Sequence, residues 1–107
     1  MISSMPAVEF DALLKLLGDD YACDMLCALA DGPTTARELT GQFEMSRPTI
    51  YRRLDRLQDA GIVNSKMQPD RDGHHRQAFY LVVDEIELHL RKDGIDGAVR
   101  ADTTADD

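Results

Sequence analysis

A mainly α protein completed by a β-hairpin, in the α+β class, is what the sequence predicts, and three observations carry that expectation. Apolar residues recur at helical spacing through the first part of the chain, with capping residues at each break. The period changes to strand alternation directly after Gly61. The net-basic stretch of an otherwise acidic chain, residues 46–76, spans the last of these helices and the hairpin.

The spacing predicts a first helix over Val8 to Leu17, with Phe10, Leu13, Leu14 and Leu17 on one stripe and Leu16 outside it. A second helix is expected from Asp20 to Ala30, N-capped by Asp19. It is apolar nearly all round, which is the pattern of a central, buried helix. Asp31-Gly32-Pro33 ends it. Thr35-Ala36-Arg37-Glu38 has the form of a capping box and opens a short third helix to about Phe43. Ser46 then caps a fourth helix that carries Pro48 in its first turn and runs to Ala60, where Gly61 stops it. Its core positions are Ile50, Leu54 and Leu57.

Ile62 to Gln68 reads as a strand, Pro69 to Gly73 as a turn, and Gln77 to Val83 as the returning strand. Residues 84–92 fit both periods. Ile86, Leu88 and Leu90 alternate with Glu87, His89 and Arg91, and Leu88 would lie off a helical apolar face, so strand is favoured. Asp93-Gly94 would turn it, and Ile95 to Val99 would pair back. The expected organisation is one domain over residues 1–99, with an extension from about 84, and an acidic disordered tail over 100–107.

The chain has 107 residues, 43% of them hydrophobic, and no apolar run long enough to span a bilayer. A secretory leader is not evident in the first ten residues. Twenty acidic residues against twelve basic give a formal net charge of −8. Residues 1–45 are net −6, residues 46–76 net +3 and residues 77–107 net −5. An anionic partner for the central island follows. Two cysteines make no disulfide framework and no zinc-finger pattern, which fits a cytoplasmic location and no metal. No Gly-rich phosphate loop, activated nucleophile or His-Glu metal pair is present, so an enzyme is not expected, and no cofactor either.

Helix three, the short turn Glu44-Met45-Ser46 and helix four have the proportions of a helix-turn-helix, and the hairpin after them is a wing. On a wheel of about 100° per residue with Ile50 at the origin, Arg52 falls near 200°, Arg56 near 240° and Thr49 near 260°, all away from the core. Arg53, near 300° on that wheel, lies at its border. Arg47 occupies the first turn. Arginine can fork onto guanine in the major groove or onto phosphate. The candidate DNA contacts are therefore Ser46, Arg47, Thr49, Tyr51, Arg52, Arg53 and Arg56 on the helix, with Arg71, His74, His75 and Arg76 at the wing. Tyr51 is expected to pack partly and reach a phosphate through its hydroxyl.

The stretch from Ser46 to Val63, ending Leu57-x-x-Ala60-Gly61-Ile62-Val63, resembles the recognition helix and first wing strand of winged helix-turn-helix transcription regulators. Asp72-Gly73-His74-His75-Arg76, followed by Tyr80 and Leu81, resembles their wing. The likeness spans about residues 8–83 and is closest to the ArsR-like and PadR-like regulators abundant in haloarchaea. It implies a homodimer on double-stranded DNA, with helix 47–60 in the major groove of each half-site and wing 69–76 on the backbone or minor groove. Fifteen aspartates against three lysines also resemble cytosolic proteins of salt-loving archaea.

The chain lacks the Cys-x-Cys and the C-terminal Asp/His pairs through which many ArsR-like members sense metal. Its segment 84–99 is short for a PadR-like dimerisation helix. The dimer surface is left between the first helix, through Leu16 and Val8, and the segment 84–99. Cys23 and Cys27 are expected to pack in the core of helix two. The alternative function is a winged helix used for protein contact without DNA, which the net negative charge favours.

Overall fold

The computed structural model describes residues 2–5, 7–69 and 71–101. The chain runs β1 (Ile2–Met5), α1 (Ala7–Leu17), α2 (Ala22–Ala30), β2 (Thr34–Thr35), α3 (Ala36–Gln42), α4 (Arg47–Asp59), β3 (Val63–Pro69), β4 (His75–Leu81), β5 (Val83–Arg91) and β6 (Gly94–Ala101). Two antiparallel three-stranded sheets result, ordered β2-β4-β3 and β1-β6-β5. The first is the wing and the second an added C-terminal hairpin joined by the N-terminal strand. The expected fold, four helices followed by a β-hairpin wing, is the observed one.

The helix ends follow from local chemistry. Thr35 Oγ1 accepts from the Glu38 amide at 3.1 Å and donates to the Glu38 carboxylate, also at 3.1 Å, a capping box. Ser46 Oγ accepts from the Thr49 amide at 3.3 Å. At the other end of α4, Gly61 takes a φ of +77°. Its amide donates to the Gln58 carbonyl at 2.9 Å while the Ile62 amide donates to that of Leu57 at 3.0 Å, a Schellman closure. That closure aims the chain from α4 straight into β3.

The core gathers Phe10, Leu13, Met25, Leu29, Leu39, Ile50, Leu54, Leu57, Ile62 and Phe79. Several expectations are corrected here. Leu16 is buried with Phe10 and Leu13, whereas Leu14 and Leu17 are only partly buried. The first helix is packed from more than one side, by β6, α2 and α4, so its apolar arc is wider than one stripe. The second helix starts at Ala22 with Tyr21 as a cap that makes no side-chain bond, so Asp19 is not its N-cap. Nor is it buried all round. Ala22, Met25 and Leu29 face inward, and Cys23 and Cys27 are exposed rather than in the core. Alanine and cysteine are small enough to sit on an open face at little cost, which is why hydrophobicity alone misplaced them.

Segment 84–99 is a hairpin, with Leu88 opposite Gly97 and Leu90 opposite Ile95. Pairing extends through Arg100 and Ala101, two residues into the expected tail; residues 102–107 lie outside the described residues, as do Asp70 in the wing turn and the Val8 side chain. Two strands had no sequence signal. β2 is two threonines pairing with Ala78 and Phe79, and β1 pairs with β6 over Ile2–Met5. Both are too short for periodicity to register.

Candidate nucleic-acid interface

α4 presents three different faces. Ile50, Leu54 and Leu57 are buried in the core. Arg47, Tyr51, Arg52 and Arg56 are exposed, as are Ser46 and the aspartates Asp55 and Asp59. Asp55 and Asp59 stand at ion-pairing spacing from Arg52 and Arg56. Among the described residues, however, Arg47 and Arg52 make no ion pair, so their guanidinium groups stand in solvent. The basic half of the outward face is the N-terminal half, and the two aspartates occupy the C-terminal half.

Arg53 is placed differently from the other predicted contacts. Its Nε donates to Asp19 Oδ2 at 2.5 Å and its Nη2 to Asp19 Oδ1 at 2.9 Å. The guanidinium also lies over the Tyr21 ring, 5.2 Å from the centroid. Arg53 is 16% and Asp19 26% exposed. The hydrogen bond from Arg53, with its charge behind it, holds the Asp19 carboxyl below the ordinary carboxylate range, and the same pairing raises the guanidinium. A bidentate fork of this kind fixes geometry as well as charge. It ties α4 to the α1–α2 loop, so Arg53 sets the orientation of the helix rather than extending from it. Asp19 and Tyr21 are the residues that sequence reasoning missed. Nothing periodic links positions 34 apart, although an acid and an aromatic just before a helix are a weak cue.

Arg56 leans the same way. Its charge contributes to lowering Asp19, and it lines an open groove of about 470 Å³ with Glu9, Ala12, Leu16, Asp59, Ala60 and Gly61, between α1 and the end of α4. Thr49 is half-buried and shares a 2.8 Å hydrogen bond with Ser46 Oγ, so both hydroxyls of the first turn already serve the cap. Tyr51 is 39% exposed and meets Phe79 edge-on, with ring centroids 6.3 Å apart. That leaves its ring partly packed, as expected.

The wing is a seven-residue pair of strands from Val63↔Leu81 to Pro69↔His75. Arg71, His74 and His75 are exposed and Arg76 is half-buried; Arg71 and Arg76 both have partners within the protein. His74 lies in the turn and His75 begins β4. Lys66, absent from the sequence-based set, adds a cation on β3 with its ammonium 5.5 Å from the Tyr80 centroid. Gln58 and Gln77 both donate to Ser65 Oγ, at 3.4 and 2.9 Å, binding the end of α4 to the root of the wing. Helix and wing are thereby one continuous piece. Among the described residues no three His, Cys, Asp or Glu side chains gather as a metal site.

This geometry agrees with the comparisons to known proteins. Residues 19–65, from the start of the Asp19 loop to the first wing strand, match the model of the bacterial regulatory protein family arsR. The chain is a winged helix-turn-helix protein similar to regulators of the ArsR type. It is similar to the biofilm growth-associated repressor of Agrobacterium fabrum, 29% identical over 78% of this chain and 67% of that protein. It is also similar to the arsenical resistance operon repressor of Staphylococcus aureus, 28% identical over 77% of each. These relationships are to regulators and not to enzymes. No described helix is long and apolar enough to cross a membrane.

Proposed function

We propose that this chain is an ArsR-type regulator, a sequence-specific DNA-binding transcription factor that acts as a homodimer in the cytoplasm. The observation that carries this reading is the pair Arg47 and Arg52: exposed, unpaired among the described residues, and at the N-terminal half of a helix whose other faces are committed to the core and to Asp19. α4 enters the major groove by that half, with Arg52 and Arg47 on bases or phosphates. Arg53 is a positioning residue. The wing, with Lys66, His74, His75 and the partnered Arg71 and Arg76, lies along the backbone.

The acidic remainder of the molecule bears on mechanism. Each phosphate contact ordinarily releases counterions, so binding weakens with salt. Here a net charge of −8 repels DNA at low salt, and Asp55 and Asp59 share the helix with the arginines. We propose a shallow or positive salt slope, as in a protein suited to a saline interior. A protein-only winged helix is the second reading, favoured by the same charge.

The test is fluorescence anisotropy on random duplex and on genomic fragments, with wild type and Arg52→Ala, at ~0.2 M and ~2 M KCl to span strong and nearly complete screening. Losing one bidentate arginine contact is expected to cost about 1–3 kcal/mol, roughly a 5- to 150-fold weaker Kd, with circular dichroism unchanged. Equal binding by the variant would remove Arg52 from the interface. No retention of any fragment at either salt would leave the protein-only reading.

A further inference from the structure

We propose that β5 is a self-complementary edge through which two copies of this chain join, Leu88 lying on the two-fold axis and the β1-β6-β5 sheets fusing into one of six strands. The proposal deepens the homodimer reading above and rests on it. In the sheet order β1-β6-β5, β5 is an outer strand. It is nine residues long, contains no proline, and has its one irregularity at its start, between Val83 and Glu85. A long regular edge of this kind is a template for another strand.

The side chains specify which strand. The N-terminal half of β5 is acidic (Asp84, Glu85, Glu87) and the C-terminal end is basic (His89, Arg91, then Lys92). A two-fold axis pairs each residue of a strand with its mirror position on an identical antiparallel strand. Centred on Leu88, the axis sets Glu85 opposite the partner's Arg91, Glu87 opposite the partner's His89, and Ile86 opposite the partner's Leu90. The neighbouring registers fail on charge. Centring on Glu87 puts two glutamates face to face, centring on Ile86 sets Glu85 against the partner's Glu87, centring on His89 sets Glu85 against the partner's Asp93, and centring on Leu90 sets His89 against the partner's Arg91. Backbone groups on an antiparallel strand point alternately to one neighbour and the other. Registers that pair residues of like parity therefore bring outward groups together, and the Leu88-centred register is one of these.

The existing ion pairs continue the pattern. Arg100 already bonds Asp84 at 2.9 Å and Glu85 at 3.1 Å, and Arg91 bonds Asp96 at 2.5 Å. Across the fused sheet one face would read Arg100, Glu85, the partner's Arg91, the partner's Asp96, alternating in sign. The opposite face holds the exposed apolar groups of this hairpin: Leu90 is 78%, Leu88 48% and Ile95 45% exposed, next to the partly buried Ile86. Pairing sets the Leu88 side chains of the two copies together and gives Leu90 the partner's Ile86. Three adjacent apolar groups on a charged surface thus acquire a partner of their own kind.

The test is light scattering of the full chain with wild type and Leu88→Glu, and oxidation of a Cys23→Ser/Cys27→Ser/Leu88→Cys variant. Wild type is expected at twice the 12.0 kDa chain mass and Leu88→Glu, two carboxylates meeting on the axis, at the single mass with unchanged circular dichroism. Residues directly opposed across antiparallel strands have Cα atoms about 4.5 or 5.5 Å apart, both within disulfide range, so the cysteine variant is expected to cross-link to a dimer. A wild-type dimer that Leu88→Glu leaves intact, or one without cross-linking, overturns this interface while the homodimer and DNA readings stand. A wild-type monomer overturns the interface and the homodimer together. Loss of DNA binding by Arg52→Ala in a protein that remains dimeric bears on the recognition helix alone.

Discussion

Replacing Gly97 by alanine is the sharpest test of how the C-terminal sheet is seated on the helices. A Cβ there would stand 2.0 Å from Phe10 Cε1, 2.2 Å from Phe10 Cζ and 2.5 Å from the Glu87 carbonyl oxygen. Non-bonded carbons rest at about 3.5–4.0 Å, so the ring would have to retreat by about 1.5 Å. Phe10 is fully buried, and the Glu87 oxygen belongs to the paired β5 backbone. Neither yields without opening α1 from β6 or disturbing the β5–β6 ladder. Overpacking a core commonly costs 1–3 kcal/mol, and two obstructed directions put this site at about 3 kcal/mol. For a domain of this size, 1 kcal/mol corresponds to roughly 4–8 °C, so Tm should fall by about 12–24 °C. Thermal melts followed by circular dichroism measure it. Phe10→Leu shortens the ring side of the clash, so a Phe10→Leu/Gly97→Ala double variant should lose less than the two singles combined. A Gly97→Ala protein melting within ~3 °C of wild type would refute the close seating of α1 on β6, on the scale that relates Tm to stability.

Three further outcomes are expected. Arg53→Ala removes a bidentate charged pair of low exposure and should cost about 1.5–3 kcal/mol in denaturant unfolding. If it weakens DNA binding without lowering stability, Arg53 is a contact and not a positioning residue. The Asp19 carboxyl is depressed in the folded state below 3.8, so its stabilisation is full above that value and lost as pH falls through the lowered one. The Tm difference between wild type and Asp19→Asn should therefore shrink on acidification below about pH 4; a difference constant with pH would refute the pairing. Finally, Cys23 and Cys27 are exposed, so both thiols should react with a disulfide reagent in the native protein without strong protection relative to denaturant. Protection by a factor of ten or more, the signature of an opening free energy above about 1.4 kcal/mol, would return them to the core.

The sequence by itself determined the elements whose causes are local. The capping box at Thr35, the Ser46 cap, the Gly61 closure and the change of period after it lie within a few residues of the structures they produce. The helix-turn-helix, the wing and the outward Arg47 and Arg52 were legible for that reason. So was the second hairpin, through the alternation of Ile86, Leu88 and Leu90. The tertiary structure alone decided the rest. Asp19 reads as a helix cap until Arg53 arrives from 34 residues away, and a bidentate ion pair outcompetes a single capping bond. Leu16 joins the core because α1 is covered on more than one side, while the cysteines of α2 lie on a face that no described segment buries. β1 and β2 are strands through their partners, since two to four residues have no period of their own. Capping and periodicity act between neighbours along the chain, whereas burial and ion pairing depend on what distant segments bring to the same place.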